Sequence, residues 1–467
     1  MLRICKQDKN KVMEQVKNKV LDGIMVSNSN LIDDIILSMC HEGVLDNLDQ
    51  GFPDKRNTNS TIPLRFIMAL VIVSKMKVRT SLTDIPYAIQ DYRTLAELGY
   101  NAMSTDKSDG WFNEGTIRHL LGKYKSEDIF NYYNNVVQKH IFNTMDIETN
   151  IHILDCTKIA VNYNNENYEG STFGYDRLGN SMRGYKLASL RGIYNDSGLI
   201  EDVRFGTVNI HDFKLSEEML KTTPCFHEGD ILLMDRGFTS REMMNYLKTV
   251  RKVDTYIPVR KSMEIYEMAI ELAEEIDDWQ PHPTRKDQMI CHVNNVGEYF
   301  RTRNSKHDVD LNSCVVWSED TQSYEVFITT DMNRSASDIV NIYNMRTEIE
   351  EDFRQLKDFW KLEDFKSTKL NIISFHLVCV LLGYLFYQLY LNTEDGQKYI
   401  GKCLPVILKN YKQEFLNYLV LFSGEYFCSM SMREFLEFRD ECSTDVRKFI
   451  LEFSVKNLTS KVSVGTF

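Results

Sequence analysis

Two short apolar runs, IHIL and DILLM, each stop at an aspartate, Asp155 and Asp235, and this constrains the fold more than any other feature. Runs of four or five such residues are short for helices and suit buried strands. An aspartate ending such a run sits where a rigid sheet fixes its carboxylate. Between the two runs, KLASLRGIY and LIEDVRFGTV flank Asn195-Asp196-Ser197-Gly198, a hairpin turn signal. A helix is expected around 214–221. SREMMNYLKTV then reads as helical and DTYIPVR as a strand. Alternating strands and helices over 150–260 predict an α/β unit with a mixed sheet. Strand-end turn aspartates are common, so neither acid carries a function alone.

The flanks read differently. Over 1–145, IMALVIVSKMKV, SLTDIPYAIQDYRTLAELGY and EGTIRHLLGKY space apolar residues by three and four, with a Ser-x-x-Asp start at Ser81. Polar stretches at 49–61 and 101–110 are expected loops. Residues 261–333 interrupt the α/β pattern with a helix-like EIYEMAIELAEEI and three strand-like runs, MICHVNNV, SCVVWSE and YEVFITT, and read as a β-rich insertion. From Ser335 the chain is expected to be mostly helical to its end. The apolar stretch 373–390 contains His376 and Gln388 and lacks basic flanks, so it reads as a buried helix, not a membrane span.

Composition sets limits. A chain of 467 residues with 43% hydrophobic content supports one large core with accessory parts, or two to three domains. Ten cysteines without a C-x-x-C pair disfavour structural zinc, and His282, Cys291 and His292 lack the spacing of a zinc site. The polar N-terminus is unlike a signal peptide, so a cytoplasmic protein with free thiols is expected. No Gly-rich phosphate loop is present, so ATP is not expected. The net charge of −12 opposes DNA binding unless the acids lie on other faces or serve as metal ligands.

The segment SASDIVNIYNMRTEIEEDFRQLKDFW opens with a Ser335-x-x-Asp338 cap and reads as one long helix. At about 100° per residue, Ile342, Ile349, Phe353, Leu356 and Trp360 share an arc of roughly 60° that would pack on the sheet. Tyr343, Arg346, Glu350 and Lys357 fill a second arc of about 60° beside it. Glu348, Glu351 and Asp352 point elsewhere, toward solvent. One acid at the edge of a buried face, in line with a tyrosine and two cations, suits a metal-binding carboxylate flanked by phosphate-binding groups. An ordinary amphipathic helix with an Arg346–Glu350 ion pair gives the same pattern.

The spacing Tyr343-x2-Arg346-x3-Glu350-x6-Lys357 resembles the YREK signature of bacterial insertion-sequence DDE transposases. DCT at 155–157 and DRGF at 235–238 resemble that family's first two motifs, in the same order and with a β-rich insertion before the glutamate. The resemblance implies an α/β, ribonuclease-H-like mixed-sheet core flanked by helical N- and C-terminal regions. Five segments follow: a helical region at 1–145 that binds DNA ends, the first part of the core at 146–260, the insertion at 261–333, a catalytic helix at 334–369, and a helical region at 370–467 for packing or dimerisation. It also implies that Asp155, Asp235 and Glu350 hold two Mg²⁺ ions, with Mn²⁺ as a substitute. Tyr343, Arg346, Lys357 and Arg236 would contact phosphates of double-stranded DNA, at transposon ends and target, in a homodimer without membrane attachment.

Relatives stack a flipped base on an aromatic residue of the insertion; here Tyr324, Phe327 or Trp317 are the candidates. Lys158 and Lys186 are weaker DNA contacts whose default reading is solvent exposure. His211-Asp212 reads as a helix cap, and Cys156 as packing. Three alternatives stand beside a cut-and-paste transposase. A metal-dependent nuclease would cut without joining, and a transposase-derived DNA-binding protein would do neither. A protein with no nucleic-acid partner, which the charge favours, would show no steep salt dependence of DNA affinity.

Overall fold

The computed structural model describes residues 5–52, 55–56, 62–101, 114–176, 178–195, 197–410 and 416–462. Most of the two expected loops, 49–61 and 101–110, and Asp196 of the expected turn lie outside these residues. The chain forms two compact units. One comprises Met1–Lys125, Phe359–Lys366 and Asn371–Phe467; the other comprises Ser126–Asp358 and Ser367–Leu370.

The second unit is built on one ten-stranded mixed sheet. Its strands are β1 (Ile151–Val161), β2 (Thr172–Tyr175), β3 (Ser181–Tyr194), β4 (Ser197–Thr207), β5 (Ile231–Met234), β6 (Asp254–Pro258), β7 (Gln280–Pro281), β8 (Gln288–Val293), β9 (Asn312–Ser318) and β10 (Ser323–Thr329). Their spatial order is β2-β3-β1-β5-β6-β10-β9-β8-β7, and β4 pairs with β3. β1, β5 and β6 run parallel to one another, and every other pairing is antiparallel. All four residues of β5 are buried, as expected of a strand between two parallel neighbours with both faces covered. β3 and β4 form the expected hairpin, with Tyr194 opposite Ser197 and Asn195 in the left-handed conformation (φ 52°) that tight turns ask of asparagine. The segment after residue 260 joins the same sheet through pairing of β10 with β6.

Helices cover the sheet: α1 (Ser126–Asn135), α2 (Asp212–Thr222), α3 (Glu264–Ile276), α4 (Ala336–Asn344) and α5 (Thr347–Asp358). α1 is tied to β4 by the Tyr133 hydroxyl donating to the Ile200 carbonyl (2.7 Å) and by Asn134 bonding both ways to the Val203 backbone. The mixed α/β class with helices at both ends of the chain agrees with the sequence reading and with a ribonuclease-H-like core.

One expectation needs correction. The expected long helix after Ser335 is two helices, broken at Met345–Arg346. α4 packs over β6 and β8–β10, whereas α5 packs over β1 and β4, so the break lets each half follow a different part of the sheet. Ile349, Phe353 and Leu356 are buried on α5 as expected. Trp360 lies beyond the helix end, in the other unit, with its ring 5.5 Å from that of Tyr384. The Ser335 cap is a full capping box with Asp338. Ser335→Ala is expected to cost about 1 kcal/mol, and an unchanged thermal unfolding midpoint would contradict this.

The first unit holds most helices of both termini together with a four-stranded sheet ordered Lys6–Gln7, Tyr426–Ser431, Leu416–Ser423, Gly23–Ser29. The ends are therefore not helical throughout, because strands separated by nearly the whole chain pair with one another. Helix α6 (Leu370–Leu391) contains the apolar stretch 373–390, and its residues from Ile373 onward are buried by protein, as expected. It closely approaches the buried helix Leu64–Met76 at Gly383, where a Cβ would stand 3.2 Å from the Met76 side chain and 3.7 Å from the Ile72 carbonyl.

Candidate active site

The register of β1 and β5 pairs Leu154 with Met234. Each aspartate follows one of these paired residues on adjacent strands about 5 Å apart. β1 runs on to Val161, so Asp155 is mid-strand, against expectation, while Asp235 lies just past the end of β5. Each carboxylate is pinned by the following residue: Asp155 Oδ1 accepts from the Cys156 N–H and Asp235 Oδ1 from the Arg236 N–H, both at 2.7 Å. Glu350 comes from the first turn of α5.

Arg346, in the break between α4 and α5, joins these elements. Its Nη1 donates to Asp155 Oδ2 (3.1 Å) and its Nη2 to Glu350 Oε1 (2.6 Å). Burial pushes the Asp155 carboxyl up to about 6, opposed by the Arg346 charge and reinforced by repulsion from Asp235 and Glu350. Burial opposes the charge on Arg346, but Tyr343 and the same acids outweigh it and raise its pKa. Burial also raises the Tyr343 hydroxyl, whose ring lies 4.8 Å from that of Phe327 on β10. Asp155, Asp235, Glu350, Tyr343 and Arg346 are thus brought together electrostatically.

The other sequence candidates fall at varied distances. Lys357, two turns along from Glu350, donates to the Lys158 carbonyl on β1 at 2.5 Å. Arg236 is exposed, and its backbone carbonyl accepts from Arg260 Nε at 3.1 Å. Lys186 departs from its default reading: it is buried, and its ammonium bonds the Ile210 carbonyl and pairs with Asp212. Lys158 is bonded to the Tyr175 carbonyl. His211 caps α2, its Nδ1 accepting from the Phe213 N–H at 3.3 Å. Cys156 packs within 3.9 Å of the Ser216 hydroxyl, and burial pushes its thiol up. His282 Nδ1 accepts from the N–H groups of Thr284 and Arg285, both at 3.2 Å.

A cleft of about 490 Å³ opens beside these acids. Asp235, Arg346 and Tyr343 form one wall; the insertion supplies Arg285, Tyr324 and Phe327, and Lys261 and Arg236 add positive charge. Trp317 packs its ring 4.6 Å from that of Tyr324.

Magnesium-type cations take hard oxygen donors, and three carboxylates, of which Asp235 lines the cleft, fit that chemistry. Their convergence is incomplete, because no three His, Cys, Asp or Glu side chains among the described residues are close enough to hold one ion. Arg346 stands between two of the acids.

Sequence reasoning missed one supporting group. Arg191 of β3, 4% exposed, pairs with Asp352 (2.6 Å) and Glu348 (2.8 Å) of α5. This corrects the expectation that Asp352 is solvated, whereas Glu348 is exposed as expected; both pairs clamp the helix bearing Glu350 to the sheet. Gly198 is required beneath Arg191, since a Cβ there would overlap the guanidinium. The available signal is a charge interrupting an apolar strand run, KLASLRGIY, as the aspartates interrupt theirs.

No curated protein matches the chain. Residues 148–386, just over half of the sequence, match the model of a family described as the transposase DDE domain. That span contains Asp155, Asp235, the cleft and Glu350, and the chain belongs to the DDE transposase-domain family.

Proposed function

We propose that the protein is a cut-and-paste DNA transposase of the YREK group that cleaves insertion-sequence ends and joins them to target DNA. The observation carrying this reading is the placement of Asp155 and Asp235 directly after the paired residues Leu154 and Met234 of adjacent strands, with Glu350 linked to Asp155 through Arg346. In this reading Asp155, Asp235 and Glu350 are the metal ligands. Two bound Mg²⁺ ions, or Mn²⁺ in their place, would activate the attacking water or 3′-hydroxyl and stabilise the leaving oxygen.

The chain's own residues position DNA. Arg346, Arg236 and Tyr343 line the cleft and offer donors to backbone phosphates, Arg346 with fork geometry. Lys357 lies further along α5 and supplies a point charge near the end of β1. Tyr324 and Phe327 line the cleft and are better placed than Trp317 to stack an unpaired base. The 1–145 region is assigned to DNA-end binding and 370–467 to packing or dimerisation of a homodimer. Despite the net charge of −12, Arg236, Lys261, Arg285 and Arg346 gather at this cleft.

The test incubates the full chain with duplex DNA containing the sequences flanking its gene, with Mg²⁺ or with a chelator. Cleavage and joining with Mg²⁺, and neither with the chelator, are expected. Cleavage without joining would favour a nuclease. Binding to those ends with no cleavage in Mg²⁺ would favour a transposase-derived DNA-binding protein.

A further inference from the structure

Arg346 presents both terminal amino groups to acids, Asp155 at 3.1 Å and Glu350 at 2.6 Å. Its side chain is 14% exposed and borders the cleft that also exposes Asp235 and Tyr343. Two of its five N–H donors are thereby engaged with carboxylates, which leaves the two Nη groups less free to grip a phosphate bidentately. Its backbone lies in the break between α4 and α5, so the side chain can move without disrupting a helix interior.

We propose that Arg346 is an exchangeable counter-ion that couples DNA binding to metal binding. Without DNA it neutralises Asp155 and Glu350 and keeps them from converging on a cation. A backbone phosphate entering the cleft draws the guanidinium away. The two carboxylates then face each other and Asp235 without a neutralising charge, and their repulsion favours a divalent cation in its place. In the exchange the arginine trades two carboxylates for one phosphate, and the acids trade one guanidinium charge for a divalent ion. This inference rests on the metal-ligand assignment proposed above.

Linkage is reciprocal, so DNA and metal must strengthen each other's binding by the same factor. Mn²⁺ affinity of the full chain, followed by electron paramagnetic resonance of the free ion, reads this without catalysis. For wild type, duplex DNA containing the gene's flanking sequence is expected to tighten Mn²⁺ binding about tenfold or more. Arg346→Gln is expected to bind Mn²⁺ more tightly than wild type without DNA, and to lose most of the enhancement on adding it. Arg346→Lys, which restores a cation, is expected to fall between the two. Wild-type Mn²⁺ affinity unaffected by DNA, or Arg346→Gln binding no tighter than wild type, would overturn the coupling. Asp155→Asn separates the two ideas. If it leaves Mn²⁺ binding unchanged, the metal-ligand assignment itself fails. If it weakens binding while DNA has no effect on wild type, only the counter-ion role fails.

Discussion

Glu350→Gln is expected to lower Mg²⁺-dependent cleavage by on the order of a thousandfold while leaving affinity for DNA ends within a few-fold of wild type. The substitution is close to isosteric, and its amide oxygen still accepts from Arg346 Nη2, so the local contact survives. What disappears is one negative charge from the proposed ligand set, and with it several kcal/mol of electrostatic stabilisation of the transition state. The Glu350 side chain is 42% exposed, so its contribution to folding is small and the unfolding midpoint should barely move. Single-turnover cleavage of end-containing duplex, alongside a binding isotherm, separates the two effects. Cleavage within threefold of wild type would remove Glu350 from the ligand set.

Much of the geometry behind that prediction was legible in the chain. The run before Asp235 reads as a strand ending at that carboxylate, because the period and length of a run are local properties. By contrast, β1 continues past Asp155 to Val161 through pairing with β3. The stripe Ile349, Phe353 and Leu356 announced which face of α5 is buried, and hence that Glu350 lies at its edge. Long-range partners were not legible. Asp352 looks like one more solvated acid until β3 brings Arg191 beside it, 161 residues away in sequence. Lys186 looks exposed until the turn before α2 places Asp212 against it. The break at Met345–Arg346 carries no Gly or Pro, so sequence propensity continues the helix; the differing tracks of α4 and α5 over the sheet end it. Strands at the two chain ends were missed for the same reason, since Gly23–Ser29 pairs only with Leu416–Ser423. Local pattern names an element, but partners far along the chain decide its charges and ends.

His152→Ala is expected to destabilise the protein by about 3–5 kcal/mol at neutral pH, the usual effect of removing one member of a buried ion pair. His152 lies on β1, fully buried, between Glu201 Oε2 (2.8 Å) and Asp230 Oδ2 (3.1 Å). Glu201 belongs to β4, two strands away. It reaches His152 across Gly192 of β3, which stands opposite His152 in the register; a Cβ at Gly192 would overlap the Glu201 carboxylate. Thr149 donates to the same carboxylate, and Asp230 also accepts from the His227 N–H at 2.6 Å. Burial alone pulls the imidazole pKa down, but the two carboxylates outweigh it and push it up to about 9. Because the folded value lies above the ordinary 6.5, the stabilisation is complete below about pH 6.5 and is lost as pH rises through about 9. Denaturant unfolding of wild type and His152→Ala should therefore differ most at pH 6 and progressively less toward pH 9.5. The difference between the two proteins cancels the titration of other groups. A gap that stays constant over this range would mean that His152 is not held as a cation. Gly192→Ala should reproduce the loss, because it displaces Glu201 without touching the imidazole; normal stability in that variant would contradict the crossing of β3 by this carboxylate.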